Sequence, residues 1–324
     1  EEGVTEVPMA GAELMVKEGV MKDVDAIFGL HIWAQVEAGN VTWNLVDVEL
    51  SDAVRGCDEG ILEVMDHSVL PDGANGVPAA EDFLPGALAE CAVGNIVWST
   101  VFIHDESKIQ GVDGLKDFFD LGKFPGKRGL RKGAKPNLEL ALMADGVEPA
   151  DVYEVLSTEA GIDRAFAKLD TIKDSTVWWE SGAQPPQLLA DGEVVMTTAY
   201  NGRVFNAIAS EGKPFVINWD GQVWDLDLWV IPKGAPNQEA TMDFVKFSTS
   251  TKALADQASW IPYGPLRKSS FGLVSSFHSD PSLDMAPHMP TAPANFTRAL
   301  QNDFEFWADN SDQLNERFNA WLTK

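Results

Sequence analysis

The chain is poor in cysteine, in basic residues and in long apolar runs, and each shortage excludes a class of protein. Its two cysteines, Cys57 and Cys91, form no CxxC motif and no cluster with histidine, which excludes a zinc finger or an iron–sulfur site. The longest uncharged, largely apolar run, Cys91 to Ile103, has 13 residues, whereas a membrane-spanning helix needs about 20. With 24 Lys and Arg against 50 Asp and Glu, the net charge of −26 would repel a nucleic-acid backbone.

The composition that is present predicts a soluble globular protein of mixed α/β class. The 324 residues are 45% hydrophobic and include 11 Trp and 17 Phe, enough apolar area for two domains or lobes. Apolar runs alternate with amphipathic helices. One predicted strand, Asn95–His104, leaves a first lobe, and another, Gln222–Pro232, returns after a self-contained α/β stretch. This order is typical of two lobes joined by crossing strands, which close on a ligand by hinge motion.

The pattern also predicts elements near the two ends of the chain. We expect a helix over Gly11–Met21, a strand over Ala26–His31, a strand over Thr42–Leu50 and a short strand over Phe215–Asn218. At the C-terminus we expect two helices, over Ala294–Trp307 and Ser311–Leu322. The basic segment Lys123–Lys135 is either a solvated face that pairs with nearby carboxylates or a docking or anion site.

From about Gln35 to Lys324, an ordered set of segments resembles one transport family. The set is VEAGNVTWNLVDVE, AVRGCDEGILE, AECAVGNIVWSTV, FPGKRGLRKG, ESGAQPPQLLADGEVVMTTAYNGR, WDGQVWDLDLWVIPKGAPN, WIPYGP and PTAPANFTRALQNDFEFWADNSDQLNERFNAWL. It resembles the periplasmic substrate-binding proteins of ABC transporters, specifically the spermidine/putrescine-binding type. The resemblance implies a two-lobe periplasmic-binding-protein fold of type II that clamps a solute in its cleft.

The same resemblance predicts the function and the domain organisation. We expect a monomeric, non-enzymatic, extracytoplasmic component of an ABC importer. It would need no cofactor, bind a small cationic solute such as putrescine or spermidine, and deliver it to a permease in the inner membrane. No signal peptide is visible before Glu1, so either it was removed or this is not the natural start. The predicted units are residues 37–103 with 228–275 for lobe 1, 104–227 for lobe 2, and 276–324 for C-terminal helices that span or pack on the lobes.

Residues 1–36 do not match the start of that family, so the N-terminal βα unit of lobe 1 is expected to be atypical or incomplete. The segment from Glu1 to Gln35 resembles instead a fragment of the zinc amidohydrolases that cleave N-acyl amino acids. That resemblance implies a general base at Glu1 and metal ligands at Glu2 and His31. A hydrolytic metal site needs at least three protein ligands, and the sequence has no second metal-ligand motif, no GxSxG and no HExxH. We therefore expect no metal site.

The join between the two resemblances falls within residues 34–39. The leading hypothesis is a chimaera whose remaining fold still binds a solute. A fragmentary zinc amidohydrolase and a non-functional chimaera are the alternatives.

A polyamine site needs carboxylates for ammonium groups and aromatic faces for methylenes and cations. Through the resemblance, Asp227 matches an ammonium-binding aspartate, and Tyr200 and Tyr263 match ligand-contacting positions. With a period of two, Asp225 points to the same side of its strand as Asp227, and Trp224 to the other. The further candidates are Trp224 itself, Glu49 at a strand end, Trp98 on the crossing strand, and Glu180 with Gln184 in a polar turn.

Each candidate also has an ordinary structural interpretation. The rings of Tyr200, Tyr263 and Trp98 could be core packing, Glu49 a helix-capping acid, and the paired aspartates a lobe edge. The acidic pair that spermidine and putrescine binders carry before the helix at Asn137 is absent, because Gly133 and Pro136 stand there. Another amine-bearing solute is therefore the next alternative to a polyamine.

The two cysteines could be buried thiols in a cytosolic protein or one disulfide in an exported one. Cys57 is expected to end the helix after the Thr42–Leu50 strand, and Cys91 to open the adjacent strand of the same lobe. We therefore predict a Cys57–Cys91 disulfide, which a Cα–Cα distance above about 7 Å would exclude.

Overall fold

The computed structural model describes residues 27–324, which form a mixed α/β fold. The helices are α1 Ile27–Glu37, α2 Leu50–Asp58, α3 Ala79–Asp82, α4 Leu115–Phe118, α5 Asn137–Ala144, α6 Val152–Leu156, α7 Glu159–Asp170, α8 Gln184–Ala190, α9 Asn201–Ala209, α10 Gln238–Ser248, α11 Thr251–Ala258 and α12 Phe304–Leu322. The strands are β1 Val46–Glu49, β2 Leu88–Ala89, β3 Ala92–Asp105, β4 Arg128–Arg131, β5 Thr176–Trp179, β6 Met196–Tyr200, β7 Phe215–Val230, β8 Gly264–Pro265, β9 Ser276–Phe277, β10 Asp280–Asp284 and β11 Ala299–Gln301. None of the described helices is long and apolar enough to cross a membrane.

Two long antiparallel strands, β3 and β7, connect the parts of the molecule. They pair from Ala92 opposite Val230 to Asp105 opposite Phe215, with β1 on the other side of β7 and β6 on the other side of β3. The prediction of separate strands over Phe215–Asn218 and Gln222–Pro232 is wrong, because one strand runs through both. Gly221 has a φ of +75° inside this strand, and the left-handed backbone that glycine permits keeps the chain in the sheet across a local irregularity.

Two main hydrophobic cores lie along this strand pair. The first core is built on β1, α2, the start of β3 and the end of β7, and includes Val48, Ala53, Leu62, Val93, Leu226 and Leu228. The second core is built on the far part of β3 with α5, α7 and α12, and includes Phe102, Leu138, Leu142, Phe166, Trp307 and Phe318. The predicted residue boundaries of the two lobes stay predictions.

Two predicted elements at the chain ends are wrong, and one lies outside the described residues. The apolar run after residue 26 forms helix α1 rather than a strand over Ala26–His31; it is long enough for three helical turns and stops before Gly39, whose φ is +62°. The two predicted C-terminal helices are one, α12, because its apolar residues share a face that is buried in the second core. Strand β11 lies within the range predicted for the first of these two helices. The helix over Gly11–Met21 falls in residues 1–26, outside the described chain.

Cys57 and Cys91 form a disulfide between α2 and the start of β3. Their Cα atoms are 5.6 Å apart, within the usual range for such a bond. The bond fastens the helix after β1 to the central strand of the first core, close to the segment that carries Glu49.

Candidate functional site

Four carboxylates converge on one face of the sheet, where β1 runs beside β7. Glu49 lies directly opposite Asp227 in the antiparallel pair, and Asp47 and Asp225 lie two residues away on the two strands. Because alternate residues of a strand share a face, all four side chains point the same way. Asp225 is 3% exposed and the other three are half-buried. We call Asp47, Glu49, Asp225 and Asp227 the acidic cluster.

Burial raises the pKa values of the three aspartates of the acidic cluster, and repulsion from neighbouring carboxylates adds to this effect for Asp225 and Asp227. Burial raises the pKa of Asp47 to about 6, although Asn95 Nδ2 donates a hydrogen bond to its Oδ1 at 3.2 Å. Burial also raises the pKa of Asp225 to about 7. The pKa of Asp227 is raised well above its usual range, first by burial and then by the charges of its three carboxylate neighbours. Such a cluster favours a cation, because an opposite charge restores the ionised form.

Lys135 pairs with two of the four carboxylates of the acidic cluster. Its Nζ lies 3.4 Å from Glu49 Oε2 and 3.3 Å from Asp225 Oδ2. Burial alone would lower the pKa of Lys135, but the nearby carboxylates raise it above its ordinary value. Asp47 and Asp227, in contrast, have no basic side chain as an ion-pair partner anywhere in residues 32–324.

Trp98 contacts Asp227, and the rings of Tyr200 and Trp179 extend the aromatic contacts from Trp98. Trp98 Nε1 donates a hydrogen bond to Asp227 Oδ1 at 2.9 Å, which fixes the orientation of both side chains. The ring of Tyr200 meets Trp98 edge-on at 5.4 Å and Trp179 at 5.7 Å between centroids. The backbone at Gly182 closes against the same tyrosine, since a Cβ there would lie 2.8 Å from Tyr200 Cδ2.

Tyr263 lies against the first turn of α9, within electrostatic range of charges of opposite sign. A Cβ on Gly202 would lie 2.6 Å from the hydroxyl oxygen of Tyr263. Burial raises the pKa of Tyr263, the charge of Asp227 raises it further, and the guanidinium of Arg203 opposes both. The phenol therefore stays protonated, within electrostatic reach of the acidic cluster and of Arg203.

Buried Asn201 positions this part of the site. Its Oδ1 accepts a hydrogen bond from the backbone N–H of Ser99 on β3, and its Nδ2 donates to the carbonyl of Pro262. One side chain thus connects the crossing strand, the start of α9 and the loop that carries Tyr263. This connection explains why Tyr200 and Tyr263, 63 positions apart in the sequence, face the same region.

The structure brings together six of the nine predicted ligand-binding residues: Glu49, Trp98, Tyr200, Asp225, Asp227 and Tyr263. Trp224 lies apart from them, because it points to the other side of β7 and packs in the first core, with its ring 5.3 Å from that of Phe296.

Glu180 and Gln184 belong to the turn beside Tyr200, where both make local contacts. Lys132 Nζ lies 2.7 Å from Glu180 Oε1, and Gln184 Oε1 accepts hydrogen bonds from the backbone N–H groups of Glu180 and Ser181. The structure thus gives Gln184 a role in shaping the start of α8.

Sequence reasoning missed Asp47, Asn95, Lys135 as a cluster residue, and Arg203. Asp47 carried a signal, because it stands two residues before Glu49 on the same predicted strand. Lys135 carried none, since its partners are 86 and 90 residues away. Three of the four lysines of the basic segment pair with carboxylates: Lys123 with Asp117, Lys132 with Glu180, and Lys135 with the acidic cluster. The segment is not simply a solvated face, because Arg128 is fully buried and Lys135 is largely buried.

No group of three or more His, Cys, Asp and Glu side chains in the described part of the chain could hold a metal ion. Glu1 and Glu2 fall outside the described residues, as does the side chain of His31. That these three residues form no metal site therefore stays a prediction.

Known proteins resemble this chain over most of its length. The family model for bacterial extracellular solute-binding proteins matches residues 31–291. The γ-aminobutyric acid-binding protein of Pseudomonas aeruginosa is 43% identical over 292 residues, which cover 90% of this chain and 79% of that protein. The solved structure of the Atu4243–GABA receptor is 32% identical, with a TM-score of 0.75, and the match covers 96% of this chain and 91% of the receptor.

A polyamine-binding protein is a more distant neighbour. The spermidine/putrescine substrate-binding protein of Streptococcus pneumoniae has a TM-score of 0.66 at 14% identity, over 91% of this chain and 88% of that one. This likeness shows the fold alone, so it does not support the predicted spermidine/putrescine type. The predicted amidohydrolase resemblance has no support, since the matched family begins at residue 31.

The two-lobe α/β fold and the transport family are confirmed by these matches. Proteins of this family are not enzymes; they bind a small solute outside the cytoplasm and deliver it to an ABC permease. The chain belongs to the bacterial extracellular solute-binding proteins, as the solute-binding component of an ABC importer.

Proposed function

We propose that the protein binds a small ω-amino acid, with γ-aminobutyrate as the leading candidate, at the acidic cluster. The observation that carries this proposal is that the Tyr263 phenol, packed against the first turn of α9, lies within electrostatic range of both the Asp227 carboxylate and the Arg203 guanidinium. A solute with an ammonium group at one end and a carboxylate at the other complements both charges. Both the assignment of these residues to the binding site and the identity of the solute are part of this proposal.

The ammonium group is assigned to Asp47 and Asp227, the two carboxylates that Lys135 leaves without a cation. Hydrogen bonds between charged groups contribute about 1.5–3 kcal/mol each. The ring of Trp98 lies beside Asp227 and that of Tyr200 packs on Trp98, so both rings can enclose methylenes and add about 0.5–2 kcal/mol per cation–π contact. Together these contacts suffice for a micromolar affinity, which is about −8 kcal/mol.

The carboxylate of the solute is assigned to Arg203. This side chain is exposed and has no ion-pair partner within the part of the chain that the structure describes. A guanidinium binds a carboxylate through two parallel hydrogen bonds, which fixes the ligand's orientation as well as its charge. The relatives support the same ligand class, because the protein that is 43% identical is a γ-aminobutyric acid-binding protein.

A polyamine is the second candidate, favoured by the number of carboxylates in the acidic cluster. However, Lys135 already pairs with Glu49 and Asp225. Only one pair of acids is then left for an ammonium, and a second ligand ammonium would meet the like charge of Arg203. The geometry therefore favours a solute with one ammonium over a diamine.

Isothermal titration calorimetry on the whole chain tests the proposal, with γ-aminobutyrate, putrescine and butyrate as ligands. We expect γ-aminobutyrate to bind most tightly, since each of the other two lacks one of the two charges that the site complements. Arg203→Gln is expected to weaken γ-aminobutyrate binding by about 10- to 100-fold, the loss of one charge-assisted contact. The control Arg55→Gln removes an exposed arginine that pairs with Glu59 at the end of its own helix, and is expected to leave the affinity unchanged. Tighter binding of putrescine than of γ-aminobutyrate, or an unchanged affinity for Arg203→Gln, contradicts the proposal.

A further inference from the structure

We infer that Lys135 is a specificity-determining residue: its ammonium group occupies a second cation position in the acidic cluster and thereby excludes diamines. This inference rests on the proposed function, because it concerns which amines that same site accepts. Lys135 lies in the loop between β4 and α5, and its Nζ lies between Glu49 Oε2 and Asp225 Oδ2.

The position of Lys135 is built into the fold. Its neighbours Ala134 and Leu138 are fully buried in the second core, whereas Glu49 follows directly after Val48 of the first core. The lysine therefore extends from a loop that is anchored in the second core and places its positive charge next to carboxylates beside the first core. Its side chain is only 24% exposed, and Asp225 is 4% exposed in the same pair, so both charges are largely withdrawn from water.

The four carboxylates of the acidic cluster divide into two pairs. Glu49 and Asp225 share the lysine, whereas within residues 32–324 Asp47 and Asp227 have the hydrogen bonds from Asn95 and Trp98 and no ion pair. Removing one partner of a buried ion pair leaves an uncompensated charge, which is strongly unfavourable. Without the lysine ammonium, Glu49 and Asp225 would therefore take up protons or a cation from solution.

The spacing of the two parts suits the two ends of a short diamine. Asp225 and Asp227 lie two residues apart on one strand, which corresponds to about 7 Å. Glu49 lies directly opposite Asp227, and facing Cβ atoms of an antiparallel pair are about 4.5–5.5 Å apart. Two ammonium groups separated by a few methylenes could therefore reach both pairs of acids, if the lysine did not already hold one of them.

Calorimetry with putrescine and γ-aminobutyrate on Lys135→Met and Lys135→Gln tests this role. Both variants remove the charge; the first keeps the length of the apolar stem and the second keeps a polar end. We expect either variant to gain about 10- to 100-fold in putrescine affinity over wild type, as for one new charge-assisted contact. The ratio of putrescine to γ-aminobutyrate affinity is expected to rise by a similar factor.

Two controls separate this role from a general effect of charge or of folding. Lys132→Met removes a nearby lysine that pairs with Glu180 outside the acidic cluster, and is expected to keep the wild-type ratio. Lys135→Arg keeps the charge and is expected to keep the exclusion of putrescine. A thermal melt of each variant confirms that the measured protein is folded.

The outcomes distinguish this inference from the proposed function. If wild type binds γ-aminobutyrate and folded Lys135→Met and Lys135→Gln show the wild-type ratio, the inference is wrong and the proposed function stands. If neither charge-removing variant folds, Lys135 acts in stability, which also overturns the inference. If wild type binds no ω-amino acid, the proposed function fails by itself.

Discussion

Glu139 has a fully buried carboxyl group close to Lys135. Its Oε1 accepts hydrogen bonds from Trp307 Nε1 at 2.7 Å and from the Tyr153 hydroxyl at 3.1 Å, while its buried Oε2 has no hydrogen-bond partner in the structure. Burial raises the pKa of Glu139 to about 7, against the smaller opposing effect of these hydrogen bonds and of Lys135. At neutral pH the group is therefore close to its own titration midpoint.

The raised pKa makes Glu139 a source of pH-dependent stability. A carboxyl whose pKa is higher in the folded than in the unfolded protein stabilises the fold at low pH, and that contribution is lost as the pH rises through about 7. We expect Glu139→Gln to remove this loss, because the amide carries no charge and keeps the acceptor oxygen. The gain in unfolding free energy over wild type should approach about 3 kcal/mol above pH 8 and fall below about 1 kcal/mol near pH 5, where the unfolded carboxyl is still partly protonated. Urea denaturation at both pH values measures it, with exposed Glu154→Gln as the control; equal differences at the two pH values contradict the account.

At the scale of elements, the first turn of α9 is packed directly on the candidate site. Gly202→Ala would place a methyl group 2.6 Å from the Tyr263 hydroxyl oxygen and 2.8 Å from Cε1. Overpacking of this kind costs about 1–3 kcal/mol, so the ring must shift. We expect the variant to stay folded and to bind γ-aminobutyrate about tenfold more weakly.

Gly272→Ala is the matched control, since the added Cβ has nothing within 4 Å. Fluorescence-monitored thermal shift with and without ligand compares the two variants with wild type. A Gly202→Ala protein with the wild-type ligand-induced shift would mean that Tyr263 does not contact the solute.

The disulfide between α2 and the start of β3 is a second element-scale feature. The bond closes a loop with a sequence separation of 34, which in the chain-entropy model corresponds to about 3–4 kcal/mol of stability. We expect the double variant Cys57→Ser, Cys91→Ser to lose about this amount in urea denaturation. Because the bond lies outside the acidic cluster, binding by the folded fraction should persist. A loss below about 1 kcal/mol contradicts the model.

The central strands could be predicted from the sequence because their signal is local. The apolar run around Asn95–His104 and the alternation around Trp224–Asp227 both mark strands that are buried by the fold. The apolar run after Ala26 was misjudged as a strand, because short apolar runs do not distinguish a strand from a buried helix.

Which residues form the site is harder to predict from the sequence, because it depends on contacts between residues that are distant in the chain. Asp225 and Asp227 were predicted together because they share one strand, and Glu49 because it ends another. That Asp47 joins them follows from the antiparallel register of β1 and β7, which no local pattern specifies. Lys135 reaches the acidic cluster only through the arrangement of the two cores.

At the scale of the whole molecule, solute binding and proton binding compete for the same carboxylates. Burial raises the pKa of Asp47 to about 6 and of Asp225 to about 7, and that of Asp227 well above its usual range. A protonated carboxyl does not attract an ammonium group, so the affinity for γ-aminobutyrate is expected to fall as the pH falls from about 8 to about 5. Binding near pH 7 should release protons.

Calorimetry in two buffers of different ionisation enthalpy measures this proton release directly. The apparent binding enthalpy should differ between phosphate and Tris in the direction of protons passing from protein to buffer. An affinity that is constant over the same pH range, or proton uptake on binding, would contradict the assignment of the ammonium group to these carboxylates.

The most direct test of the central claim compares Asp227→Asn with Asp225→Asn in one calorimetric series with γ-aminobutyrate. Both substitutions keep the shape of the side chain and remove one charge from the same strand, but only Asp227 lacks a basic partner in residues 32–324. We predict that Asp227→Asn costs about 2–5 kcal/mol of binding free energy, as for a broken buried charge pair, and that Asp225→Asn costs less. An unchanged affinity for Asp227→Asn, or a larger loss for Asp225→Asn, would contradict the ammonium site at Asp227.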